Sequence, residues 1–317
     1  MSRPARNVGS GGLGNQSRSP DPAFQVLGGA FAGLGPHNVG PETPSRVGPG
    51  IAPGRMEEST PDFLFERKIQ KFFDMAEAYC YAHMNFPSTA GDALLHPLIK
   101  DRLMKAATRE SAHQLASTGH TRYLLMTKVV LQWIIRHIWT EIPPFEGFDV
   151  EADRRITNYK RQIYQTTPPL LRHHFLSQIA KDVQRIRAHP DFLSYFQRLV
   201  CSQATKLWAI VHPLMHYPTL PSDWQDLLSL IYTAYCISGE MWATPFDWRF
   251  DFTPVGYPYQ PSMINKDPYI KGTPEELARR NLVVKLGYTP AVYLRDSADG
   301  FARIAQIASH KVLVKEA

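Results

Sequence analysis

Two histidines lie at a spacing that is typical of metal sites. His212 and His216 are four residues apart in the stretch VHPLMHYP, and an α-helix places residues at this separation on one face, where two imidazoles can bind one ion. Pro213 and Pro218 interrupt such a helix, and no acidic residue lies close by to complete the set of ligands that zinc requires. We therefore predict a helix end with partly exposed histidines, and neither a bound metal nor a cofactor.

The acidic residues offer a second candidate chemistry, general acid–base catalysis by paired carboxylates. Asp247 and Asp251 are four residues apart, but nothing in the sequence sets the distance between their carboxyl groups, on which such catalysis depends. Carboxylates in loops more often accept hydrogen bonds from the backbone. The chain also lacks the nucleophile elbow GxSxG, the zinc motif HExxH and the phosphate-binding Walker loop. The sequence therefore favours a protein without catalytic activity.

Basic residues are concentrated between positions 151 and 189. This range holds eight arginines and lysines against three acidic residues, a net charge of +5 without its histidines. If the range forms two packed helices, its positive side chains form one face that attracts phosphate or an acidic protein. The alternative is a solvated surface whose long side chains cover apolar neighbours. The predicted partner-binding or nucleic-acid-binding residues are Arg154, Arg155, Lys160, Arg161, Arg172, Lys181 and Arg185.

Residues 241–261, MWATPFDWRFDFTPVGYPYQP, combine seven aromatic residues with several prolines. The prolines exclude a long helix, and so many aromatic rings are unusual in a disordered segment. Aromatic residues stand at every second position from 246 to 252, which is the period of an extended strand with one buried face. We predict an ordered arm that fills a groove on the helices; the alternative is a groove for a partner or ligand. The contact residues are Phe246, Trp248, Phe250, Phe252, Tyr257 and Tyr259.

The elements that must position these residues are mainly helices. Thr60 and Pro61 favour a helix start, and apolar residues then recur at steps of three and four from Phe65 to His83, which gives one apolar stripe. Similar patterns follow, separated by proline and glycine. The sequence predicts an all-α fold, an irregular bundle of about seven or eight helices, with an extended aromatic and proline-rich arm and a small mixed C-terminal extension.

Composition divides the chain into three regions. Residues 1–56 hold 12 of the 20 glycines and only two aromatic residues, too little apolar surface to offset the entropy cost of ordering the backbone. We predict a disordered tail rich in glycine, proline and serine, and Met56 at its end is an alternative translation start. Residues 57–243 are the predicted helical domain. Residues 244–317 hold the arm, a C-terminal helix and a hairpin at the Asp-Gly turn of 299–300, packed on the helical domain.

The sequence also bears on location. No stretch has the continuous apolar run of a signal peptide or a membrane span. Cys80, Cys201 and Cys236 are scattered and form no CxxC pair, which favours reduced thiols. We expect an intracellular protein, cytoplasmic or nuclear, that does not bind membranes.

Three residues in or beside the tail invite a regulatory interpretation. Ser19, Thr43 and Thr60 each precede a proline, and we predict that they are sites of regulatory phosphorylation. The alternative is that they only start turns and helices.

These observations predict a non-catalytic helical module for protein interaction or scaffolding, whose partner is another protein. One alternative is a nucleic-acid-associated, transcription-related regulator that acts through the basic helices of residues 151–189. Its binding would weaken steeply with salt, whereas binding in an apolar groove would not. A second alternative is an enzyme of unfamiliar type with a helix-lined pocket around His212, His216 or Asp247.

Overall fold

The computed structural model describes residues 61–140, 142–166 and 168–317. The predicted disordered tail, with Ser19, Thr43 and Thr60, lies outside these residues. The α-helices within them are α1 (Pro61–Met84), α2 (Pro97–Ala106), α3 (Arg109–Ala116), α4 (Gly119–Ile134), α5 (Val150–Gln165), α6 (Pro169–Arg187), α7 (Phe192–Val211), α8 (Pro221–Trp242) and α9 (Pro274–Arg279). Short 3₁₀ turns cover Ala90–Leu94 and His212–Leu214.

Several helices begin where the sequence supplies a capping side chain. The carboxylate of Asp149 accepts hydrogen bonds from the backbone N–H groups of Glu151 and Ala152, both at 3.0 Å, ahead of α5. The Thr273 hydroxyl accepts a hydrogen bond from the N–H of Glu276 ahead of α9, and the Glu276 carboxylate accepts one from the N–H of Thr273. These bonds satisfy donors that the first turn of a helix leaves unpaired.

Helix α4 lies at the centre of the helical part. Every residue from 124 to 131 is buried, and α4 packs against α1, whose stripe contributes the buried Phe65 and Phe72. The helix continues into a π-helical turn, Ile135–Thr140, where Trp139 packs on Phe72 with 5.0 Å between the ring centroids. Helices α5 and α6 pack side by side, as do α7 and α8. No helix in the described ranges is long and apolar enough to span a membrane.

The C-terminal third corrects the prediction of an all-α fold. Its strands are β1 (Asp247–Asp251), β2 (Ile264–Asn265), β3 (Leu282–Gly287), β4 (Ala291–Asp296), β5 (Arg303–Ala308) and β6 (Lys311–Glu316). They form two three-stranded sheets, ordered β1-β4-β5 and β2-β6-β3. The predicted turn at 299–300 joins β4 and β5, with Gly300 at φ 79, as such a turn requires. The remaining strand pairings join segments that are distant in sequence. Because it contains these two sheets, the protein is predominantly helical but not all-α.

A polar cluster around the buried Lys311 joins the sheet β2-β6-β3 to α1. The Lys311 ammonium lies 2.5 Å from Asp74 Oδ1 and 2.7 Å from Glu77 Oε2. Tyr288 is fully buried, and its hydroxyl lies 3.4 Å from both Glu77 oxygens. Because a buried charge is tolerated only when it is paired and hydrogen-bonded, these contacts favour one position of this sheet on α1.

Candidate functional site

The structure brings parts of two predicted sites together beside strand β1. Lys160 on α5 and Arg172 on α6 belong to the basic segment, and Phe246 and Trp248 belong to the aromatic arm. Lys160, Phe246 and Trp248 line one pocket, and Arg172 is bonded to Asp247, which lines the same pocket. We use the name β1 groove for two adjoining pockets, inner and outer, that share Tyr164, Asp247 and Trp248.

The inner pocket lies between the helices and the start of β1. Its cavity volume is about 110 Å³, below the range of about 300–1,000 Å³ that is usual for small-molecule sites. The Lys160 ammonium donates to the Thr140 carbonyl at 2.6 Å and lies 4.7 Å from the centre of the Trp242 ring. The lining residues are Trp139, Thr140, Lys160, Ile163, Tyr164, Leu176, Ile179, Met241, Trp242, Thr244, Phe246, Asp247 and Trp248.

The outer pocket lies over one face of the sheet β1-β4-β5. Its cavity volume is about 410 Å³, within the usual range for ligand sites. In the strand register Arg295 stands directly opposite Asp247 on one side and Ile304 on the other, so the three side chains share one face. The lining residues are Tyr164, Asp247, Trp248, Arg249, Tyr293, Arg295 and Ile304.

The charges around the outer pocket differ in their partners. The Asp247 carboxylate binds the Arg172 guanidinium at 2.5 Å. Arg249 donates to Asp251, and this hydrogen bond raises the pKa of Arg249 above its usual value. Arg295 makes no hydrogen bond or ion pair with any residue that the structure describes, and its Nε is buried. The pocket therefore holds two satisfied charges and one free guanidinium.

Apolar side chains form an exposed rim around the outer pocket. Tyr164 is 81% exposed and Ile304 is 67% exposed. The turn between β4 and β5 lies against the start of α6, since a Cβ added to Gly300 would stand 3.6 Å from Leu170 Cγ. Leu170 is 60% exposed and Phe301, beside Gly300, is 76% exposed. Contiguous exposed apolar side chains of this size often mark interaction sites.

Most of the predicted basic face is paired with acidic residues. Arg155 binds Asp182 through two hydrogen bonds, at 3.0 and 2.8 Å. Arg185 contacts Asp149 at 3.1 Å and Asp182 at 3.3 Å. Because Asp149 and Asp182 pair with these two arginines, they offset part of the positive charge that α5 and α6 present to solvent.

The remaining members of that face differ in exposure. Arg154 is exposed and pairs with Glu151 at 3.2 Å. Arg161 and Lys181 are also exposed, and neither forms an ion pair within the described part of the chain. Arg161 and Lys181 are therefore exposed side chains on the α5–α6 surface that an external anion can reach without displacing a carboxylate of the described residues, whereas Arg154 has an exposed partner in Glu151.

The rest of the arm packs against the protein. Phe250 contacts Trp139, with 5.2 Å between centroids, and Phe252 lies 5.6 Å from the Lys128 ammonium. Tyr259 is buried in the core of the second sheet, whereas Tyr257 is 41% exposed. The predicted arm residues are therefore divided between two sheets: Phe250 lies in the sheet β1-β4-β5, and Tyr259 packs in the core of the sheet β2-β6-β3.

The histidine pair is placed at a helix end, as the prolines indicate. The His212 ring packs on Trp208 with 5.0 Å between centroids, and the His216 ring packs on Phe86 at 4.4 Å. Among the described residues, no three His, Cys, Asp or Glu side chains gather closely enough to hold a metal ion. Asp251 binds Arg249, so each acid of the predicted pair has its own arginine.

Sequence reasoning missed five residues of the outer pocket, Arg249 within the arm and Tyr164, Tyr293, Arg295 and Ile304 outside it. Of those outside the arm, Tyr164 lies near the end of a helix, and the other three lie on strands whose partners are distant in sequence or joined by a turn. Alternation along β4 is the one local signal for Tyr293 and Arg295, since it places them on a single face.

Comparison of the chain with protein-family models, with curated proteins and with solved structures finds no match. The choice of the β1 groove as the candidate site therefore rests on its own geometry and chemistry.

Proposed function

We propose that the protein is a protein-interaction module that binds an extended segment of a partner protein in the β1 groove. The observation that carries this proposal is the exposure of Tyr164 and Ile304, which line one pocket of about 410 Å³ together with Tyr293. Aromatic and arginine side chains in a pocket are the residue types that dominate binding energy at protein interfaces.

The surroundings of the pocket support a macromolecular partner. Leu170 and Phe301 are exposed apolar side chains at the β4–β5 turn that do not line the pocket, so a small molecule in the pocket would leave them uncovered. A partner segment that runs past Tyr164 would cover them. Burial of apolar surface is worth about 25 cal/mol per Å² before the costs of association, so these side chains add affinity that the pocket alone does not supply.

The two alternatives have weaker support. A nucleic-acid regulator would use the basic face of α5 and α6, but Arg155, Arg172 and Arg185 are held by carboxylates of the same protein. An enzyme would need convergent reactive groups, and His212 and His216 pack on aromatic rings outside the β1 groove. Both alternatives stay predictions.

The test is a selection of random extended peptides displayed on phage against the full chain. The groove variant Tyr164→Ser/Ile304→Ser removes two exposed side chains. The control variant Leu94→Ser/Tyr217→Ser removes one aliphatic and one tyrosine side chain that are even more exposed, at 87% and 96%, and that do not line the groove. We expect selected peptides to lose about tenfold or more in affinity for the groove variant, equivalent to about 1.4 kcal/mol, and to bind the control variant as they bind the unmodified chain.

Failure of the selection, or equal loss with both variants, would contradict the proposal. A parallel titration with single- and double-stranded nucleic acid at two salt concentrations tests the main alternative. Binding that falls steeply with salt and disappears in Arg154→Glu/Arg161→Glu/Lys181→Glu would favour the nucleic-acid regulator instead.

A further inference from the structure

We infer that Arg295 is a carboxylate-binding residue, and that the outer pocket takes a carboxylate that lies next to an apolar group. This inference rests on the proposed function, since it names the chemistry of the segment that the β1 groove binds. It assigns to the partner either a C-terminal carboxylate or an aspartate or glutamate side chain beside an aromatic or aliphatic residue.

The first support is the state of the Arg295 guanidinium. Arg295 is partly buried in the wall of the pocket, and no described residue accepts a hydrogen bond from it. A guanidinium carries five N–H donors in a planar fork. The Nε–H of Arg295 is buried without an acceptor, which is costly, and the Nη groups are the donors that solvent or a ligand can reach. An acceptor supplied by a ligand would pair with these Nη donors.

The second support is the contrast with neighbouring arginines. Arg172 donates to Asp247 and to the carbonyls of Ile163 and Thr166, at 2.7 and 3.2 Å for the carbonyls. Arg303, which follows Arg295 on the same hairpin, pairs with Asp299 at 2.7 Å. The arginines near Arg295, on α6 and on the same hairpin, therefore have acceptors among the described residues, whereas Arg295 has none.

The third support is the position of Asp247. Its strand register places it directly opposite Arg295, where an acid and a base normally pair. Instead its carboxylate bonds to Arg172 from α6. The pairing with Arg172 neutralises the one acidic side chain that lines the outer pocket and leaves Arg295 unpaired, so an incoming carboxylate meets a cation rather than an existing ion pair.

The walls of the pocket define the second half of the ligand. Tyr164, Tyr293 and Ile304 offer aromatic and aliphatic surface, and carboxylates bind arginine through two parallel hydrogen bonds of fixed geometry. An apolar group bonded next to the carboxylate would contact these walls while the carboxylate meets Arg295. Phosphate lacks such a group, and the walls would gain nothing from it.

Three small probes test the inference by saturation-transfer NMR and competition with the full chain. N-acetyl-phenylalanine carries an α-carboxylate, N-acetyl-aspartyl-phenylalanine amide carries a side-chain carboxylate, and N-acetyl-phenylalanine amide carries none. We expect at least one of the acids to bind about tenfold more tightly than the neutral amide, which is the contribution of about 1.4 kcal/mol expected of one charge-assisted contact. Which acid binds distinguishes a C-terminal from a side-chain carboxylate.

The variant Arg295→Gln should abolish the preference for the acid while leaving the binding of the amide unchanged, and Arg295→Lys should retain part of the preference. The matched control is Arg303→Gln, which removes an arginine of the same hairpin that does not line the pocket. Circular dichroism and urea unfolding establish that each variant is folded. A preference that survives Arg295→Gln would assign the carboxylate to another residue.

Equal binding of acids and amide by the unmodified chain would overturn the carboxylate site but leave the proposed function standing, since the groove would then be purely apolar. Absence of binding by all probes at about 10 mM, where ligands with millimolar Kd values occupy a site, would overturn the inference as well. The phage selection decides the proposed function separately, because it does not depend on a carboxylate.

Discussion

Arg172 Nη2 on α6 lies 2.5 Å from Asp247 Oδ2 on β1. Two residues that belong to different predicted sites, the basic helices and the aromatic arm, are thus each other's partners. Arg172 also donates to carbonyls at the end of α5, so it holds α5, α6 and β1 in one arrangement. Its main role in the β1 groove is therefore to position other groups and to occupy the Asp247 carboxylate.

Replacement of Arg172 by methionine should destabilise the protein. The substitution removes hydrogen bonds to Ile163, Thr166 and Asp247. The Ile163 carbonyl keeps the N–H of Thr166 as a donor, but the Thr166 carbonyl and the Asp247 carboxylate lose theirs. Hydrogen bonds to charged groups contribute about 1.5–3 kcal/mol, so we expect a loss of about 2 kcal/mol in the free energy of unfolding, measured by urea denaturation. The control Arg154→Met, at a side chain that is 73% exposed, should change it by less than about 0.5 kcal/mol. Equal effects would show that the Arg172 contacts are energetically unimportant.

Lys128 should oppose folding at neutral pH. It is 5% exposed on the central helix α4, and burial lowers the pKa of its amine from 10.5 to about 8. Because the unfolded chain binds the proton more tightly, the cost of burying the charge is complete below pH 8 and disappears as the pH rises from about 8 to 10.5. Each pKa unit corresponds to about 1.4 kcal/mol, which makes the cost on the order of 3 kcal/mol.

The test is the variant Lys128→Met, which should be more stable than the unmodified chain at pH 7 by up to about 3 kcal/mol. The Phe252 ring, 5.6 Å from the ammonium, offsets part of this cost by attracting the cation. The gain should shrink between pH 8 and 10.5 in chemical denaturation experiments. Lys206→Met, at an exposed position on α7, is the control. A gain that does not depend on pH would count against this explanation.

The contribution of Lys311 to stability should depend on pH in the opposite way to that of Lys128. Burial opposes its charge, but hydrogen bonds to Asp74 and Glu77 outweigh burial and raise its pKa above 10.5. The stabilisation is therefore complete below the unfolded pKa and is lost as the pH rises through the higher folded pKa. Lys311→Met at pH 7 leaves Asp74 and Glu77 without their cation and should cost about 3 kcal/mol. The exposed Lys315→Met on the same strand is the control, and a similar loss with both would contradict the prediction.

Gly287 at the end of β3 allows a close backbone approach. A Cβ at this position would lie 2.7 Å from the carbonyl oxygen of Thr253 and 3.2 Å from its nitrogen, and a backbone neighbour cannot move aside as a flexible side chain can. Gly287→Ala should therefore lower the free energy of unfolding by about 1–3 kcal/mol through overpacking. Gly91→Ala, whose nearest neighbour is a side-chain oxygen at 3.3 Å, should have a smaller effect. Thermal unfolding of both variants measures the difference, and equal shifts would refute the steric explanation.

Local sequence determined most of the helices. Asp149 caps α5 and Thr273 with Glu276 caps α9, as their positions predict, because capping bonds join residues within one turn. The apolar stripe from Phe65 likewise corresponds to the buried side of α1. Each of these features depends on neighbours three or four residues away, so the amino-acid sequence alone is enough to predict it.

Only the tertiary structure decided the sheets and the candidate site. β1 pairs with β4, so that Asp247 stands opposite Arg295, and no local pattern specifies a strand partner so distant in sequence. The same is true of the charges. The sequence shows a basic segment, but the carboxylates that neutralise Arg172 and Arg155 come from Asp247 and Asp182 on other elements. Pairing of this kind depends on distances in space, which only the packing of helices against strands sets.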